Sequence, residues 1–88
     1  VKLKTGSVVR ADAGRDCNSF FVVISVEENY CFIADGKSRK LDKPKRKNIK
    51  HICPTNSMID LNNITDKKLR TALKTFNEKE QGEVMKVV

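Results

Sequence analysis

The run Phe20-Phe21-Val22-Val23-Ile24-Ser25-Val26 leaves this chain few architectures. Successive side chains of an extended strand point to opposite faces, so Phe20, Val22, Ile24 and Val26 share one face and Phe21, Val23 and Ser25 the other. A strand apolar on both faces has to be covered on both, and it reads as the central strand of a sheet. The chain has 88 residues, enough for one domain. A domain of that size buries only about 60–65% of its extended-chain surface. Its apolar fraction of 39% and charged fraction of 33% are those of a globular chain.

The flanking segments supply partners for that strand. Ser7–Ala11 is a short β-branched run, followed by Gly14 and a polar stretch through Ser19. Glu27-Glu28-Asn29 is a polar turn, Asn being tolerant of left-handed backbone. Tyr30–Asp35 is then a second strand of a hairpin, with Tyr30, Phe32 and Ala34 on one face. Asp35-Gly36 signals another turn, with Gly36 free to take φ > 0. Ile49–Cys53 forms a last short strand before Pro54. Short strands with turn chemistry about every ten residues predict a small barrel or sandwich.

The pattern changes after Pro54. Thr65 suits an N-cap and Asp66 the positive end of a helix dipole. Leu69, Ala72, Leu73 and Phe76 follow at i, i+3, i+4 and i+7, an amphipathic helix over 65–81 with Gly82 as its stop. Its outer face carries Lys67, Lys68, Arg70 and Lys74, with Glu78, Glu80 and Glu83 beyond. Met58, Leu61 and Ile64 give the connector apolar groups to bury. The expected organisation is one domain over 1–88: a barrel over 1–54, a packed connector over 55–64, and the helix.

Charge is distributed very unevenly. Eight basic residues, Lys37, Arg39, Lys40, Lys43, Lys45, Arg46, Lys47 and Lys50, stand in one window against the single acid Asp42. The rest of the chain is balanced, so the net charge of +7 belongs to this window. A block of like charge repels itself, and a polyanionic partner, above all nucleic acid, explains it best. Pro44 disfavours helix here, so the cations splay along extended or turning backbone. Arg39 and Arg46 can fork onto phosphate oxygens, while the lysines act as point charges.

Other chemistries find little support. There is one His, no Gly-x-Ser-x-Gly, no phosphate-binding glycine loop and no isolated carboxylate pair in an apolar setting, so no catalytic residue or cofactor is assigned. His51 and Cys53 stand at i, i+2 without partners, too few for a metal site. Cys17, Cys31 and Cys53 are an odd, widely spaced set, which fits a reducing, cytoplasmic compartment. No run approaches the ~18 apolar residues of a membrane span, and Val1–Thr5 lacks a secretory signal pattern. The four Phe occupy core positions, and Tyr30 is expected to face the barrel with its hydroxyl at the rim.

The segment Lys4-Thr5-Gly6-Ser7-Val8-Val9-Arg10, continued by Gly14-Arg15-Asp16-Cys17-Asn18-Ser19-Phe20-Phe21-Val22-Val23, resembles a KOW motif. The later runs Ala34-Asp35-Gly36-Lys37 and Lys43-Pro44-Lys45 resemble its continuation in large-subunit ribosomal proteins of the fourteen-e, six-e and twenty-seven-e types, and in their small bacterial relatives. The resemblance covers residues 4–52 and, more weakly, the helix. Where the family has a basic residue and a glycine, this chain has Cys17 and Asn18, and Asn tolerates φ > 0 best after glycine. The resemblance implies a mainly β protein, an SH3-like (KOW) β-barrel with a C-terminal α-helix. It implies a ribosome-associated RNA-binding protein, monomeric when free, contacting ribosomal RNA through Arg15 of the 12–19 loop and the cations of the 37–50 window, with ribosomal proteins as neighbours. KOW barrels of transcription and translation factors also bind proteins, which makes an interaction module the alternative.

Overall fold

The computed structural model describes residues 3–11 and 19–87, with side chains as far as Phe76. The elements follow as β1 (Ser7–Ala11), β2 (Phe20–Val26), β3 (Tyr30–Ala34), β4 (Lys45–Asn48), a 3-10 turn (Ile49–His51), β5 (Ile52–Met58) and α1 (Asp66–Val87). The strands form one antiparallel sheet in the order β4-β3-β2-β1-β5, with β2 in the middle.

Connectivity forces this sheet to coil. Laid flat, its edge strands β4 and β5 would stand nearly 20 Å apart at about 4.8 Å per strand. The chain crosses from one edge to the other through the three residues of the 3-10 turn, a path of roughly 8 Å at about 2 Å per residue. One end of the sheet therefore has its two edges close together. Register shifts between Ser7 and Val9, and between Val23 and Ser25, supply local bends. The edges do not pair with each other, so the sheet is coiled but open.

Alternation along the strands makes two cores. On the inner face Val9, Ala11, Phe21, Val23, Cys31, Ile33 and Ile52 pack together, with Leu3 and Ile49 at the margin. Among the described residues no helix side chain joins this cluster. On the outer face Val8, Phe20, Val22 and Ala34 pack under Leu69 and Leu73 of α1. Leu41, Ile59, Leu61, Ile64 and Phe76 extend that layer, and the Phe20 and Phe76 rings lie 6.0 Å apart. The two-sided run Phe20–Val23 is thus fully enclosed, each such side chain contributing about 1.5–3 kcal/mol by burial. Beyond the register shift Ser25 and Val26 turn out to solvent.

Three expected bounds need correction. The last strand runs through Pro54 to Met58 and does not end at Cys53. An edge strand tolerates the missing N–H of proline; the polar stretch 55–57 lies between the pairs Val9–Pro54 and Ser7–Met58, where the register shifts, and Thr55 Oγ1 donates to the Val8 carbonyl at 2.7 Å. The connector accordingly spans 59–65. The helix continues past Gly82 to Val87, a single internal glycine costing only about 1 kcal/mol. The polar turn expected at 27–29 is present, closed by Glu27 N–H donating to the Tyr30 carbonyl, with Asn29 outside the left-handed region. Asn63, ahead of the helix, is the non-glycine residue at positive φ among those described.

The helix start is as expected: Thr65 Oγ1 accepts from Lys68 N–H and its carbonyl from Leu69 N–H. At the head of β1, Gly6 has φ +94, and a Cβ there would stand 2.7 Å from the Ile59 carbonyl oxygen. Its N–H donates to Val23 and its carbonyl accepts from Ile59, so only glycine fits where the chain leaving β5 crosses β1.

Candidate nucleic-acid interface

The basic window opens with a built loop. Asp35 Oδ1 accepts from the amides of Lys37 and Arg39, both at 2.8 Å. The Arg39 carbonyl accepts in turn from Asp35 and Gly36. Gly36 has φ +77 and lies against the Asp66 carbonyl at the start of α1. Two further bonds fasten loop to helix: Leu41 N–H to Asp66 Oδ1 at 2.8 Å, and Arg70 Nη1 to the Gly36 carbonyl at 2.8 Å. Lys37, Lys40 and Lys43 project from this anchored loop as exposed cations, while Arg39 is half-buried.

After Pro44 the backbone extends into β4, the sheet edge beside β3. Register assigns its cations to opposite sides. Lys45 and Lys47 stand opposite Ile33 and Cys31 and share their face, both half-buried. Arg46 stands opposite Phe32 on the outer face, its guanidinium 4.7 Å from the centre of the Tyr30 ring. Tyr30 is therefore on the outer face, 37% exposed, and does not face the sheet interior as expected: strand alternation puts Cys31 inside. Lys50 is exposed in the 3-10 turn, which Asn48 caps by accepting from Lys50 N–H at 2.9 Å.

The eight cations of the window thus lie on the β3–β4 hairpin and the turn after it. They border one sheet edge but do not share one face. Arg15, Cys17 and Asn18 lie outside the described residues. His51 is exposed and Cys53 half-buried, and among the described residues no group of three or more His, Cys, Asp or Glu is placed to hold a metal. Burial pushes the Cys31 thiol up and keeps it neutral. Among the described residues no helix is long and apolar enough to cross a membrane.

Reading the window alone misses the cations of α1. Lys67, Arg70 and Lys74 stand at i, i+3 and i+7, a spacing that puts them on one helix face. That periodicity was the available signal, masked by the acids later in the helix when charge is summed over the whole element. No protein-family model matches the chain, and no curated protein matches it.

Proposed function

We propose that this protein is a non-catalytic RNA-binding protein, ribosome-associated and acting in the cytoplasm, built as an SH3-like barrel of the KOW kind with its helix as part of the same unit. The observation that carries the reading is the placement of eight cations on one hairpin and its rim. Lys and Arg so placed neutralise phosphates and release counterions, which gives affinity without reading bases. The three-residue bridge between sheet edges and an inner core drawn from β1, β2, β3 and β5 support the barrel. Of the three glycines in the runs that resemble KOW proteins, Gly6 and Gly36 are described, and both take the positive φ such turns require. The exposed large apolar side chains among those described are Val26, Tyr30 and Met58, too few for an extended docking surface, which favours RNA over a protein-docking role.

The test is binding of large-subunit ribosomal RNA across a salt series. Lys40, Lys43 and Lys50 are exposed, and replacing all three by Ser should flatten the log–log slope by roughly 2–3, at 0.7–0.9 per lost phosphate contact. Thermal stability should barely change. An unaltered slope and affinity would remove the hairpin from the binding surface. Sedimentation of the wild-type protein with large subunits at low salt, and its release at high salt, should accompany the binding.

A further inference from the structure

A second basic surface lies on the helix side of the sheet. Between α1 and the loop after β3 is a cleft of about 690 Å³, floored by Phe20 and Leu73. Among the described lining residues, Lys37 contributes from the loop and Lys67, Arg70 and Lys74 from the helix, against one acid, Asp35. The helix members and Thr71 follow the i, i+3, i+4, i+7 spacing of a single face. Like charges at those spacings destabilise a helix by a few tenths of a kcal/mol per pair, so helix stability does not explain the stripe.

The cleft is also preformed. Arg70 to the Gly36 carbonyl, Leu41 N–H to Asp66, and the seating of Gly36 on Asp66 hold its two walls together. A ligand entering it meets the 35–41 loop and the helix already fastened together, without the cost of bringing these two walls into register. Lys67 to Lys74 spans about 10 Å of helix axis at 1.5 Å per residue, longer than one phosphate group needs. Lys37 belongs both to this cleft and to the hairpin window, so the two basic surfaces are joined.

We propose that this cleft is a second RNA contact, in which the sugar–phosphate backbone passes from the hairpin loop onto the face of α1. The inference rests on the RNA-binding reading above and adds the helix to its surface. A mobile small phosphorylated ligand would not need a track shared between two elements.

The experiment measures the salt dependence of large-subunit ribosomal RNA binding for the wild type, the Lys40/Lys43/Lys50→Ser variant and a Lys67→Ser/Lys74→Ser variant. Both helix lysines are exposed, and far-UV circular dichroism and melting should confirm an unchanged fold. The expected result is a slope smaller by about 1.4–1.8 for the helix variant, with a further loss of affinity for Lys67→Glu. If the hairpin variant is weakened and the helix variant matches wild type, the cleft is not an RNA contact although the protein binds RNA. If affinity falls with no change in slope, the lysines do not act through phosphates and the proposal fails. A wild type that does not bind the RNA at any salt overturns both readings.

Discussion

Gly36 is the residue on which the placement of the basic loop turns. It combines φ +77 with a backbone so close to the Asp66 carbonyl that a Cβ would collide with it. A non-glycine residue held left-handed costs about 1–3 kcal/mol, and here the collision adds to that. Gly36→Ala should lower stability by at least this amount in urea denaturation, and a melting temperature equal to wild type would show that loop and helix can part freely. The Asp35-Gly36 pair was legible as a turn because its chemistry is local. Its docking on Asp66 was not, since nothing in the pair says which distant backbone will sit beside it. The same limit applies to left-handed backbone among the described residues, where Asn29 and Asn63 are equally permissive by type and tertiary context selects Asn63.

At the scale of elements, legibility followed the strength of the apolar pattern. β2 and the start of α1 were readable because two-sided apolarity and a capped i, i+3, i+4, i+7 stripe each admit one solution. β5 was not, because its second half is polar and is held by backbone pairing to β1 and one hydroxyl bond. The candidate site divides likewise. Summed charge identified the hairpin, but the split of Lys45 and Lys47 from Arg46 needed the register with β3. The helix itself is fixed by depth of burial. Leu69 is fully buried over Val8, Phe20 and Val22, whereas Phe76 is half-buried at the margin. Leu69→Ala should therefore cost about 2–5 kcal/mol, more than Phe76→Ala despite the larger ring lost. Equal or reversed costs in denaturant titrations would mean that α1 packs mainly through its second half.

Considered as a whole, the molecule is a coiled sheet with a helix closing its outer side, and the coil depends on one pairing. β1 joins β2 on one side and β5 on the other, with Ala11 opposite Ile52, although nearly the whole sheet intervenes along the chain. That geometry has a kinetic consequence. The hairpin of β2 and β3 closes a loop of a few residues, while β1 and β5 close one about ten times longer. At about 0.6 kcal/mol per doubling, this adds roughly 2 kcal/mol of chain entropy. The expected order has the β2–β3 pair in the nucleus and β5 attaching after the rate-limiting step. Ile33 and Ile52 pack in the same inner cluster, so they form a matched pair of probes. Ile33→Ala should slow refolding, and Ile52→Ala should chiefly speed unfolding. The opposite assignment in stopped-flow measurements would place the closure of β1 on β5 at the barrier. In that order of events, the edge strand that carries Arg46 gains its nearest neighbour early, and the two ends of the coil meet only after the central strands are already committed.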